Sequence, residues 1–87
     1  MDYKAVWHEE AIQDLKQLDK TRQKAIVEKV KTYLVKDPLN IGKPLKGQFK
    51  GLYRLRFEDY TVVYAVDRED MKVIVARVKH RKDVYGK

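Results

Sequence analysis

The sequence predicts an α+β fold: two N-terminal helices forming a helical hairpin, packed on a twisted, mostly antiparallel sheet of about four strands. Three observations predict it. Apolar residues recur with helical period in the first part of the chain, and they alternate with strand period from residue 53 onward. Between the two regimes, residues 39–51 hold three of the four glycines and one of the two prolines, which reads as a loop.

Each element follows in order. Residues 3–7, Tyr-Lys-Ala-Val-Trp, alternate and favour β structure, giving a short first strand. From His8 the period changes. Ala11, Leu15 and Leu18 fall at i, i+4 and i+7 with Ile12 beside them, while Glu9, Glu10 and Asp14 sit where acidic residues complement a helix dipole. His8 marks the start of that helix, and Trp7 is a core residue. A break at residues 19–21 offers Asp19 or Thr21 as the cap of a second helix. Its stripe is Ile26, Val30, Tyr33 and Leu34, and Pro38 is expected to end it, because the residue before a proline is pushed out of the helical region.

Three alternating runs come after the loop. Tyr53, Leu55 and Phe57 oppose Arg54 and Arg56; after a turn at Glu58 and Asp59, Tyr60, Val62, Tyr64 and Val66 oppose Thr61, Val63 and Ala65. The last run puts Ile74, Ala76 and Val78 on one side and Val73, Val75 and Arg77 on the other. Short turns between these runs imply antiparallel neighbours. The first strand is expected at an edge or beside the last. The helices would then cover the side carrying Tyr53, Leu55, Phe57, Tyr60, Val62, Tyr64, Ile74, Ala76 and Val78. The other side would show Arg54, Arg56, Thr61, Arg77 and Lys79.

At 87 residues, with no repeat and no linker, the chain is read as one domain spanning 1–87. It has no cysteine and only two isolated histidines, so no disulfide, thiol nucleophile or metal site is expected, and no cofactor is indicated. No apolar run approaches the roughly 20 residues of a membrane span, and the N-terminus lacks a signal-peptide core. The expectation is a cytoplasmic protein without a membrane partner. Charge is unevenly distributed: residues 43–87 carry twelve Lys/Arg against six Asp/Glu, and residues 1–42 eight against seven. That excess falls on the predicted sheet and suggests a polyanion-binding face, against the plainer reading of a lysine-rich soluble surface.

Four stretches, Pro44-Leu45-Lys46-Gly47, Gly51-Leu52-Tyr53-Arg54-Leu55-Arg56, Asp59-Tyr60-Thr61-Val62-Val63-Tyr64 and His80-Arg81-Lys82-Asp83-Val84-Tyr85, resemble the RelE-like mRNA interferase branch of the RelE/ParE toxin superfamily. With the N-terminal strand and helices, the resemblance spans nearly the whole chain. It implies the toxin of a toxin–antitoxin pair: an endoribonuclease that cleaves mRNA in the ribosomal A site without metal. A cognate antitoxin would block it, and operator DNA would be bound only through the antitoxin complex. The ParE-like branch shares the fold but inhibits gyrase.

Metal-free RNA cleavage uses the neighbouring 2′-hydroxyl as nucleophile, so the protein must take that proton, protonate the 5′ oxygen and neutralise the phosphorane. Losing one preorganised donor typically costs about 10²–10³ in rate. Arg54 and Arg56 match the family's paired cations of this strand. Many relatives carry lysine there, which can lose a proton, whereas arginine practically cannot. Paired with nearby acids, the two arginines would instead be structural. Thr61 departs from the family, which commonly places a phosphate-binding arginine at this point. Either Arg77, Lys79 or Arg81 substitutes for it, or cleavage is slower, or it is absent and only antitoxin binding remains. Arg81, or Lys79 by a small shift of alignment, is the phosphate-binding cation of the tail. His80 is a candidate acid–base group, against a plain exposed histidine at a strand end. Tyr85 matches the family's near-terminal tyrosine, which stacks on a base or orients the sugar, against an aromatic closing the core. Lys43, Lys46 and Lys50 are candidates for ribosomal RNA or backbone contacts, each also readable as a solvated loop lysine.

Overall fold

The computed structural model describes residues 2–83. The elements are β1 (Lys4–Trp7), α1 (Glu9–Lys16), α2 (Lys20–Thr32), a 3-10 turn (Leu34–Lys36), α3 (Pro38–Ile41), β2 (Lys43–Pro44), a second 3-10 turn (Gly47–Phe49), β3 (Tyr53–Phe57), β4 (Tyr60–Asp67), β5 (Lys72–His80) and a last 3-10 turn (Arg81–Asp83). The sheet has five strands in the order β1-β5-β4-β3-β2. All pairs are antiparallel except β1 with β5, so the first strand is both an edge and the neighbour of the last. The fifth strand, β2, is two residues within the expected loop, paired through Lys43–Arg54 and Pro44–Tyr53. None of the helices described is long and apolar enough to cross a membrane.

Local chemistry sets the helix ends. His8 Nδ1 accepts from the Glu10 N–H at 3.1 Å and starts α1; Asp19 Oδ1 accepts from the Arg22 N–H at 2.8 Å and caps α2. Ala11 and Leu15 from α1, Ile26 and Val30 from α2, and Leu34 and Val35 from the 3-10 turn then meet Leu55, Val62, Tyr64, Val73, Val75 and Val78 of the sheet.

Two details differ from the expectation. The second helix ends at Thr32, not at Pro38, because the backbone leaves helical geometry at Tyr33 (φ −122°, ψ −58°). Tyr33 therefore swings out of the stripe to 43% exposure, with the Lys29 ammonium 4.3 Å from its ring centre. Pro38 opens α3, a first-turn position where its missing N–H costs nothing.

The second difference lies in β5. Val63 opposes Arg77 but Tyr64 opposes Val75, leaving Ala76 as an extra residue. This bulge shifts the phase of side chains along the strand. Before it, Val73 and Val75 face the helices rather than Ile74 and Ala76; after it, Val78 and His80 do.

Behind β3, α3 is tied down by Tyr64, whose hydroxyl donates to the Pro38 carbonyl at 2.7 Å. Burial pushes the Tyr64 phenol up to about 12, a rise that the nearby Tyr53 and Asp37 add to. Gly42 lies against the same ring. A Cβ there would collide with the Tyr64 hydroxyl and stand 2.8 Å from the Arg54 carbonyl oxygen.

Candidate RNA-binding face

Register places the candidate cations. Directly opposed residues share a face, so one rung of the open side runs Lys43–Arg54–Val63–Arg77 and the next Arg56–Thr61–Lys79. Both rungs lie on the side away from the helices. Strands are spaced about 4.8 Å apart, so Arg56 and Lys79 flank Thr61 with their backbones roughly 10 Å from each other. The Arg81 N–H donates to the Asp59 carbonyl at 2.7 Å, extending the ladder one step past Lys79 beside the β3–β4 turn. Lys46 and Lys50 are exposed on the β2–β3 loop at the other end of the sheet. Tyr85 lies outside the described residues.

Among the described residues, Lys43, Arg54, Arg56, Lys79 and Arg81 form no ion pair. Their charges repel one another, and only Lys79 has a carboxylate near enough to feel it, that of Asp14, so the surface favours an anionic ligand.

Arg77 departs from this pattern and from its expected role on that face. Its Nε donates to Asp14 Oδ2 at 2.9 Å and its Nη2 to Oδ1 at 3.1 Å, with Glu10 at 3.8 Å. The same Oδ2 accepts the Val78 N–H at 2.8 Å. Burial alone would raise the Asp14 carboxyl, but hydrogen bonds from Arg77 and Val78, with the charges of Arg77 and Lys79, hold it below the usual carboxylate range. Asp14 sits in the last turn of α1, where a carboxylate opposes the helix dipole, so its place is explained by β5 and not by α1. The sequence does hold a signal for it: Asp14 falls on the apolar stripe of Ala11, Leu15 and Leu18.

His80 also falls away from the arginines. It opposes Tyr60, on the helix side, with the two rings edge to face at 5.3 Å. Its Nδ1 accepts the Lys82 N–H at 3.2 Å, which leaves the proton of a neutral ring on Nε2. Together with Asp14, Gln17, Leu18, Tyr60, Val78 and Lys79 it lines a cleft of about 270 Å³ between α1 and the end of β5. Lys79 borders this cleft as well as the open rung, whereas Arg54 and Arg56 do not line it. Among the described residues no three His, Asp or Glu side chains are grouped as a metal site requires.

Thr61 holds the centre of the second rung. It is 2% exposed, and its hydroxyl has no hydrogen-bond partner among the described residues. A buried hydroxyl left unpaired costs about 1–3 kcal/mol.

Comparison with known proteins gives this arrangement its context. Residues 5–85 match the model of the ParE toxin of the type II toxin–antitoxin system parDE. The chain is 34% identical to Toxin RelG of Mycobacterium tuberculosis over 98% of both chains, and 36% identical to that organism's Toxin RelE over 86% of this chain and 77% of the relative. In three dimensions it is similar to a chain of the toxin–antitoxin complex RelBE2 from M. tuberculosis, with a TM-score of 0.89 and 32% identity over 93% of this chain and all of that one. It is also similar to a chain of the archaeal RelE–RelB complex from Pyrococcus horikoshii, with a TM-score of 0.72 and 26% identity over 97% of this chain and all of that one. A sheet face packed by helices, a basic opposite face and these likenesses agree: the chain belongs to the RelE/ParE superfamily of type II toxin–antitoxin toxins.

Proposed function

We propose that this toxin is an endoribonuclease that cleaves mRNA on the ribosome by attack of the RNA's own 2′-hydroxyl. The observation that carries the reading is the unpaired cation row of Arg56 and Lys79 across Thr61, extended by Arg54, Lys43 and Arg81. A phosphate above Thr61 lies between a guanidinium and an ammonium, and Arg54 and Arg81 grip the neighbouring linkages. The 2′-oxygen bonds to phosphorus while the bond to the 5′-oxygen breaks. A 2′,3′-cyclic phosphate and a 5′-hydroxyl result. In the rung of Arg56, Thr61 and Lys79, Lys79 is the amine able to exchange a proton, since guanidinium practically cannot; it takes the proton of the 2′-hydroxyl or gives one to the 5′-oxygen, and water exchanges the other. The positive row stabilises the charge that develops on phosphorus. With His80 on the far side of the sheet, it positions the strand end and is left out of the proton transfer. Lys46 and Lys50 would contact ribosomal RNA of the A site, and a cognate antitoxin would cover the open face. Operator DNA would be reached only through that complex.

The match to a ParE model favours a second reading, in which the same fold inhibits gyrase and cuts no RNA. Induced expression followed by mapping of RNA ends separates the two. Cleavage leaving cyclic phosphates is expected, with Arg56→Ala lowering the rate about 10²–10³-fold while the fold is kept. Intact mRNA in cells that have stopped growing and show stalled supercoiling would overturn the nuclease reading in favour of gyrase.

A further inference from the structure

The floor of the open face is as buried as the core. Thr61 and Val63 of β4 are 2% and 1% exposed, although Val62 between them packs with the helices and both therefore point the other way. Val63 is apolar, as such a place demands. Thr61 is not, and its hydroxyl has no hydrogen-bond partner among the described residues. Valine has almost the same shape and would fill the site without that cost, so the oxygen is the feature that needs a reason. Register supplies the surroundings. Arg56 stands directly opposite on β3 and Lys79 directly opposite on β5, the first exposed and the second half-buried. Neither forms an ion pair among the described residues. Their charged ends sit at the tips of long, flexible stems, further from the sheet than the Thr61 oxygen can reach. The three side chains thus form a cup with cationic walls and a hydroxyl at its base. Arg77, in the next rung, is held by Asp14 instead.

We propose that Thr61 is a catalytic residue of this toxin: its hydroxyl donates a hydrogen bond to a non-bridging oxygen of the scissile phosphate, which Arg56 and Lys79 hold from the sides. The inference rests on the nuclease reading above and adds a donor to it. Rotamer changes of the two stems open the base of the cup, and the cations draw the phosphate down over the hydroxyl. As the 2′-oxygen bonds to phosphorus, negative charge gathers on the non-bridging oxygens. A donor already in place strengthens its bond at that moment, and a bond that is stronger in the transition state than in the bound substrate raises the rate. Thr61 is suited to this because β4 is the middle strand of the sheet, paired on both sides, which fixes the donor's position. No proton leaves the threonine. The hydroxyl keeps its hydrogen throughout, and the proton transfers stay with Lys79 and water.

The test measures cleavage of a synthetic mRNA on ribosomes by the full chain, together with its melting temperature. Thr61→Val should lower the maximal rate about 10²-fold with KM little changed, while the melting temperature rises. A residue that only supported the fold would lose rate and stability together. Thr61→Ser returns the hydroxyl and should recover most of the lost rate. Sulfur in place of one non-bridging oxygen at the cleaved linkage is a weaker hydrogen-bond acceptor. It should slow the wild type in one of the two stereoisomers, and slow Thr61→Val by a smaller factor. A Thr61→Val chain that cuts as fast as the wild type, or shows the same sulfur effect, would overturn this inference and leave the nuclease reading standing. A wild-type chain that cuts no RNA would overturn that reading and the inference with it.

Discussion

The two faces of the sheet are built to opposite rules. On the helix side, polar groups that enter the core find partners: the Tyr64 hydroxyl donates to Pro38, and Val78 donates to Asp14. On the open side, Arg54 and Arg56 form no ion pair and the hydroxyl of Thr61 has no hydrogen-bond partner among the described residues. The first arrangement is what stability asks for. The second costs stability in the folded chain. Arg77 shows the difference within one strand. It belongs to the open face by register, yet the carboxylate of Asp14 claims it for the structural side.

Substitutions that respect this division should sharpen it, and the largest effect is expected behind β3. Gly42→Ala forces a methyl group against the Tyr64 hydroxyl and the Arg54 carbonyl, and should cost about 3 kcal/mol or more. Chemical denaturation would show it as a fall in midpoint with little change in slope.

Asp14→Ala comes next. It strands Arg77 and the Val78 N–H together, at a cost of about 2–3 kcal/mol near neutral pH. The native Asp14 carboxyl titrates below its unfolded value, so its contribution is fully present above about pH 4 and is lost as pH falls through the lower native value. Urea titrations of wild type and variant should therefore differ by a constant amount at neutral pH and converge in strong acid. A gap that widens in acid would contradict the assignment.

The smallest effect has the opposite sign. Thr61→Val keeps the shape and removes the unpaired hydroxyl, and should stabilise the protein by about 1 kcal/mol. For a domain of this size that amounts to a rise in melting temperature of roughly 4–8 °C. A lower melting temperature would mean that the hydroxyl has a structural use.

Much of the fold is legible in the sequence because burial and periodicity agree in it. Ile26 and Val30 sit one helical turn apart, and Leu55, Val62 and Tyr64 alternate with the arginines and Thr61, as the pattern requires. The bulge at Ala76 is not legible. A run of small and β-branched residues from Val73 to Val78 fits either phase, and the extra residue is decided by pairing with β4 and by Asp14 from another element. Tyr33 misleads for a similar reason: the stripe continues in the sequence although the backbone leaves the helix. Within the candidate site, strict alternation places Arg54 and Arg56. His80 shares the parity of Val78, so its turn toward the helices is available from the sequence, but its basic neighbours suggest otherwise. The engagement of Arg77 is beyond reach, since Asp14 lies 63 positions away along the chain.

Asp14 has one more consequence. Because β1 is only four residues long, the outer border of β5 beyond Val75 has no strand beside it among the described residues. Such a margin is an invitation to another molecule's strand, and through it to clumping. A lone carboxylate from α1, closing over the Val78 donor, does there what a longer first strand would have done, and keeps neighbouring copies from zipping together along that rim.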